Sequence, residues 1–149
     1  MKLIDSFNGN FEFLSNFSEH GFRVKENNVL WITNEHYFQA MKSINMVERG
    51  VIWSCKTPGK AKRFGRVCEL REDWNDVKDS IMEDGVRMKF EQNPYIKQKL
   101  MSLDGYTLVE GNHWHDNYWG NCWCNKCKDI TGKNMLGKIL MKVRNEFLL

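Results

Sequence analysis

Apolar and polar positions alternate at helical spacing along Thr33 to Asn45. Tyr37, Phe38, Met41 and Ile44 fall on one face, and Glu35, Gln39 and Lys42 form a polar stripe beside it. Thr33 or Asn34 can cap the start, because either side chain accepts a hydrogen bond from a first-turn N–H. The pattern predicts a helix that ends near Asn45 or Met46. Upstream, Phe11 and Phe13 flank Glu12 with the period of a strand. Phe22 to Lys25 and Val29 to Ile32 flank Glu26-Asn-Asn28 as a hairpin would. Asn16 lies in the loop before them, either as a turn residue or as a ligand amide facing the Glu35 helix.

Downstream the signals are mostly helical. Met46 to Ser54 reads as a short helix with Val47, Val51 and Ile52 inward. Thr57-Pro58 starts the next helix with a cap and a first-turn proline. Trp74 to Gln92 carries Val77, Ile81, Val86 and Met88 at helical spacing, with Gly85 as a weak point. Asn93-Pro94 ends that helix and starts another through Leu103. Asp104-Gly105 is a turn, and Tyr106 to Glu110 a strand. A long loop, 111–133, follows, and loops of that length in a compact domain are commonly functional. Asn134 to Phe147 closes the chain with Leu136, Ile139, Leu140, Val143 and Phe147 inward, and Lys138, Lys142 and Arg144 on other faces. The expected fold is α-rich α+β: one compact, mostly helical domain over 1–149, with a small N-terminal β element and a Cys-rich loop at 111–133.

Composition narrows this. The 149 residues suffice for a real core, and six Trp are many for that length. A net charge of +3 fits a phosphate-bearing substrate without demanding one. No apolar run approaches a membrane span, and Met1-Lys-Leu-Ile gives way at once to Asp5 and polar residues, unlike a signal peptide. Five cysteines, an odd number, argue against a disulfide framework and for a reducing, cytoplasmic location.

An ordered set of motifs then stands out. Phe13-Leu-Ser-Asn-Phe17 is followed by Asn34-Glu-His-Tyr-Phe-Gln-Ala-Met-Lys42 and Thr57-Pro-Gly-Lys-Ala-Lys-Arg-Phe-Gly-Arg66. Next come Met88-Lys-Phe-Glu-Gln-Asn93, Leu108-Val-Glu110, Asp116-Asn-Tyr-Trp-Gly120 and Gly132-Lys-Asn-Met-Leu-Gly-Lys-Ile-Leu-Met-Lys-Val-Arg144. Each is weak alone. Together, in this order, they resemble the NADAR, or YbiA-like, family over nearly the whole chain. The resemblance implies an N-glycosidase acting on ribosyl bonds to amino groups of bases. The substrates it implies are phosphoribosylamino-pyrimidine intermediates of riboflavin synthesis and ADP-ribose on guanine in nucleic acid. It points to Glu35 and Asp116 as the acids, and places Arg66 in the family's Gly-Arg motif and Gly120 at the end of the Asp116 motif.

The chemistry fits these residue types. Breaking an N-glycosidic bond builds positive charge at the anomeric carbon, which a nearby carboxylate stabilises. Gln39 shares the stripe of Glu35. Trp119 and Tyr37 offer aromatic surface for a base or ribose, or else core packing. Lys60, Lys62, Arg63 and Arg66 form a basic helix that can receive phosphate or simply face solvent. Asn134 and Gly137 lie where Gly132 to Gly137 runs into the last helix, a possible phosphate-binding N-terminus that lacks the P-loop ending. Lys42 suits either an electrostatic role or, with a lowered pKa, attack on the sugar to form a Schiff base. Catalysis itself needs no cofactor.

Cys122-Trp-Cys-Asn-Lys-Cys127, preceded by His113 and His115, is the other distinctive run. Cys122, Cys124 and Cys127 with His115 match a closed structural zinc site; reduced, unmetallated thiols are the alternative. Two other classes stay open: a sensor that binds ADP-ribose or a nucleotide without turnover, and a zinc-knuckle nucleic-acid-binding module. Glu35, Lys42, Asp116 and Trp119 together favour the enzyme.

Overall fold

The computed structural model describes Lys2–Leu149. Its contacts fall into two units: Asn16–Pro94, and a second made of residues up to Ser15 with Tyr95–Leu149. The mostly helical architecture with few short strands is as expected.

In the Asn16–Pro94 unit, β2 (Phe22–Arg23) and β3 (Leu30–Trp31) pair antiparallel as the predicted hairpin, with Phe22 opposite Trp31. Asn28, at φ 59°, supplies the left-handed turn residue. Four helices follow: α1 (Asn34–Ala40), α2 (Met46–Ser54), α3 (Pro58–Gly65) and α4 (Trp74–Glu91). The first three have side-chain caps. Thr33 accepts from His36 N, Asn45 from Val47 N and Glu48 N, and Thr57 from Lys60 N. All seven residues of α1 are buried, and α2, α3 and α4 each pack on it. Phe22, Trp31, Tyr37, Ala40, Ile52 and Ala61 form the apolar core around it.

Several expectations need correction here. α1 stops at Ala40 rather than near Asn45, so Ile44 is exposed and Lys42 lies on the turn beyond the helix. The carbonyls of Met41 and Lys42, which further helix would use, instead accept from Arg71 Nη1 at 3.3 Å and Arg71 N at 2.7 Å. On α2 only Ile52 is buried; Val47 and Val51 face solvent. Gly85 is no weak point. A side chain there would run into Asn34, so glycine is what lets α4 approach α1.

In the second unit, β1 (Leu3–Ile4) pairs in parallel with β4 (Thr107–Leu108), a shorter strand than predicted. Gly9–Leu14 is a 3₁₀ helix, not a strand: Gly9 sits at φ 54° and starts a tight turn that buries Phe13 and Leu14 in succession. α5 (Pro94–Ser102) leads to the Gly105 turn at φ 84°. The 111–133 stretch is not a structureless loop. β5 (Gly111–Asn112) and β6 (Asn121–Cys122) pair in parallel across it, and a 3₁₀ turn spans Asn125–Cys127. α6 (Met135–Leu148) packs on β4 and buries Leu136, Ile139, Leu140 and Val143. Arg144 is buried too, contrary to expectation. Its Nη1 donates to the Leu103 and Tyr106 carbonyls, 2.8 Å each, and so ties α6 to the turn before β4.

Candidate active site and metal cluster

The polar stripe of α1 is buried rather than solvated. Glu35 is 6% exposed and Gln39 4%. Gln39 Nε2 donates to Glu35 Oε1 at 2.7 Å, one helical turn apart. Glu35 N donates to the Asn16 carbonyl at 3.0 Å, so the loop before the hairpin fixes the first turn. The Asn16 amide is spent on that same turn: its Oδ1 accepts from Asn34 Nδ2 at 2.8 Å and its Nδ2 points at Met82 Sδ. Asn16 thus faces the Glu35 helix by holding it. Gly65 of α3 lies against Gln39 so closely that a Cβ would overlap the amide. Gln39 Oε1 is buried with no hydrogen-bond partner among the described residues, leaving a free acceptor beside the carboxylate.

Lys42 completes the stripe from the turn after α1. Its Nζ lies 6.0 Å from the Phe38 ring centroid. Burial pulls its pKa below the ordinary lysine value, Glu35 opposes that shift, and Lys62 and Arg66 reinforce it. An acid, an amide and an amine of reduced basicity therefore share one small region with two further cations from α3. Lys62 was not singled out as a site residue from sequence; its spacing of four from Arg66 was the available signal. Arg66 itself is exposed at the end of α3.

Tyr37 points elsewhere. Its ring packs edge-on against Phe22 at 5.4 Å and Trp31 at 6.2 Å, in the hairpin core. Burial, with help from Asp84, pushes its hydroxyl up to about 12, so it stays neutral. Its neighbour His36 is fully buried, with Nδ1 2.7 Å from Thr33 Oγ1 and Nε2 2.9 Å from the Cys55 carbonyl. Burial holds its pKa below the usual imidazole value.

In the other unit, Asp116 caps its own turn. Its Oδ1 accepts from Tyr118 N at 3.1 Å and Trp119 N at 2.9 Å. Asn112 grips the same residue from both sides: Oδ1 accepts from Asp116 N at 3.1 Å, and Nδ2 donates to Asp116 O at 2.8 Å. No local pattern marked Asn112 in the sequence. The Trp119 ring packs edge-on against Tyr118 at 4.9 Å and is half-buried. Gly120 is buried where a Cβ would strike the Glu110 carbonyl. Asn134 and Gly137 serve packing. The Asn134 amide bridges Glu110 N and the Leu108 carbonyl, and Gly137 lies against that carbonyl. At the start of α6, Met135 N and Leu136 N already donate to the Tyr118 and Trp119 carbonyls. Those donors are not waiting for a phosphate.

His115, Cys122, Cys124 and Cys127 converge, with donor atoms all within 4.8 Å of one another. His115 Nδ1 lies 3.3 Å from Cys124 Sγ, 3.4 Å from Cys127 Sγ and 4.0 Å from Cys122 Sγ. All five cysteines are free thiols, and His113 is outside the cluster. These four residues can hold a metal ion.

Among the described residues, no helix is long and apolar enough to cross a membrane. The NADAR domain profile matches residues 6–148. An N-glycosidase of Nostoc punctiforme is 39% identical over 137 residues, covering 89% of this chain and 83% of its own. N-glycosidase YbiA of Escherichia coli K12 is 36% identical over 134 residues, covering 89% and 79%. The solved structure of E. coli YbiA superposes with a TM-score of 0.84 at 33% identity, over 99% of this chain and 85% of that one. The maize chloroplastic riboflavin biosynthesis protein PYRR is 33% identical over 149 residues, but this chain spans only 23% of it. The chain belongs to the NADAR family.

Proposed function

We propose that this protein is an N-glycosidase that hydrolyses the bond between a phosphorylated ribose, phosphoribose or ADP-ribose, and an amino group of a base. The observation that carries this is the buried Glu35–Gln39 pair with Lys42, whose basicity burial lowers, and the cations Lys62 and Arg66 beside it. The N-glycosidases of similar length named above support the reaction type. The maize relative, named for riboflavin biosynthesis, supports a phosphoribosylamino-pyrimidine; ADP-ribosyl-guanine in nucleic acid is the other substrate of matching chemistry.

In the reaction, the C1–N electron pair leaves with the base nitrogen, which takes a proton, and water adds at C1. The Glu35 carboxylate stabilises the cationic sugar and orients that water, with its own position set by Gln39 Nε2. Gln39 contributes to substrate binding by holding that carboxylate in place, and Lys62 and Arg66 receive phosphate. Asp116 is the second acid, and Trp119 offers a face for the base. Asn16 holds the first turn of α1, and Tyr37 anchors it. Asn134, Gly120 and Gly137 shape the backbone around the Asp116 turn. A structural zinc on His115, Cys122, Cys124 and Cys127 belongs to the reading, outside the chemistry.

Lys42 has two roles to separate. As an ammonium ion it neutralises phosphate or the departing base. As a neutral amine, which its burial favours, it attacks C1, expels the base and opens the ring to an imine that water then hydrolyses. Incubating the protein separately with ADP-ribosyl-guanine DNA and with the phosphoribosylamino-pyrimidine tests the proposal. Release of the free base from one of them is expected; binding of either without release makes the protein a sensor.

A further inference from the structure

The metal cluster and Asp116 are adjacent in sequence, and their hydrogen bonds form one continuous network. We infer that a zinc ion in the cluster positions the Asp116 carboxylate, acting as a clamp on the turn from His115 to Cys122. This rests on the zinc and on the role given to Asp116 above.

The cluster is shaped for a cation rather than for hydrogen bonds. A neutral imidazole nitrogen offers one lone pair or one N–H, yet three sulfurs surround His115 Nδ1 at 3.3, 3.4 and 4.0 Å. A tetrahedral ion with bonds of about 2.3 Å to sulfur and about 2.0 Å to nitrogen sets N···S separations of roughly 3.5 Å. The observed values bracket that figure. Two backbone N–H groups, His115 N at 3.3 Å and Cys124 N at 3.5 Å, also point at Cys122 Sγ, the outer-sphere support that thiolate ligands receive. Three thiolates and one imidazole fill four positions, so the site is closed and structural.

What the ion would hold is specific. His115 sits at φ 70°, a left-handed conformation uncommon for a residue with a side chain, and this turns its ring into the cluster. The next residue is Asp116. Its peptide groups are gripped by Asn112 of β5, which lies opposite the ligand Cys122 in the β5–β6 ladder. Cys122 N in turn donates to Asn117 Oδ1 at 2.9 Å. Both ends of the turn are therefore tied to the ion, at His115 and at Cys122. Between them the carboxylate is oriented by the Tyr118 and Trp119 amides.

The experiment uses whole protein purified without chelator. Zinc stoichiometry, and the thiolate charge-transfer spectrum after exchange to cobalt(II), come first. Amide hydrogen exchange of Tyr118 and Trp119, the two donors to Asp116 Oδ1, is then followed with metal, after chelation, and after zinc is restored. About one metal per chain is expected, with faster exchange at those two amides on removal and recovery on reloading. Amides of α1 should be unchanged. Turnover on the substrate found above should fall on the order of 10- to 100-fold on chelation, mainly in kcat. Cys124→Ala should match the chelated protein, and Cys124→His, which keeps four ligands, should restore both readouts. Protein with no bound metal and no cobalt spectrum overturns the zinc. Bound metal whose removal leaves Tyr118 and Trp119 protected overturns the clamp. Protection lost equally in α1 assigns the metal to global stability, and also overturns it. If the two amides respond as expected but Asp116→Asn keeps full turnover, the clamp stands and the role given to Asp116 fails.

Discussion

The residues of α1 show how one short helix serves two purposes. Glu35 and Gln39 bond to each other on the side proposed for the chemistry, and Tyr37, about half a turn away, faces the hairpin core. Lys42 is the residue whose role is most sensitive to pH. With its pKa lowered by burial, its neutral fraction grows at a lower pH than for an exposed lysine. If the imine forms, borohydride in the presence of substrate should trap a covalent adduct, its yield rising with pH, and Lys42→Ala should give none. An adduct from Lys42→Ala would place the nucleophile elsewhere. His36 governs stability instead. Its folded pKa is depressed below the unfolded value of 6.5, so its stabilising contribution is full above that pH. It is lost as pH falls from there through the folded value, because protonation must break the acceptor role toward Thr33 or expel the ring. The melting temperature should drop on that acid limb, and His36→Gln should flatten the drop. An unchanged profile would show that His36 carries none of it.

At the scale of elements, α1 works because glycines let its neighbours close on it. Gly65→Ala places a methyl against the Gln39 amide. Alanine is ordinarily the better helix residue by about 1 kcal/mol, but overpacking of this kind costs about 1–3 kcal/mol, so the net change should be destabilising. Because the flexible end of Gln39 can swing away, turnover should fall further than stability, through the lost bond to Glu35. Urea denaturation beside kinetics would show this; a stabilised, fully active Gly65→Ala would contradict the packing described. The same helices show what was legible beforehand. The starts of α1 and α3 were readable because Thr33 and Thr57 are local caps; the Asn45 cap of α2 was hidden because the helical pattern of α1 runs on to it. The end of α1 was not readable, because Arg71, about thirty residues on, takes the carbonyls that would have extended it. The strand expected at Phe11 to Phe13 failed because two aromatics two apart are too short a run to fix a period; Gly9 starts a 3₁₀ turn whose buried residues are Phe13 and Leu14. Arg144 looked like a surface cation since its acceptors, the Leu103 and Tyr106 carbonyls, are distant in sequence. The Cys-His cluster was legible from its tight spacing. The parallel β5–β6 ladder that frames it was not, because two-residue strands leave no periodicity to read.

For the whole molecule, the family match over residues 6–148 takes in both units, and the net charge of +3 suits a phosphorylated substrate. Arg66→Ala should raise KM and leave kcat nearly unchanged, since exposed phosphate contacts act on ground and transition state alike. Added salt should weaken substrate binding in the parent more than in the variant. Equal salt dependence would remove Arg66 from phosphate recognition. The central claim, that the buried stripe of α1 is catalytic, is tested most directly by Glu35→Gln. This change keeps the shape and removes the charge. Turnover should fall on the order of 100- to 1000-fold, while binding of ADP-ribose or a product analogue, measured by calorimetry on the same folded protein, stays within a few-fold of the parent. Near-parental turnover in a folded Glu35→Gln protein would contradict the account.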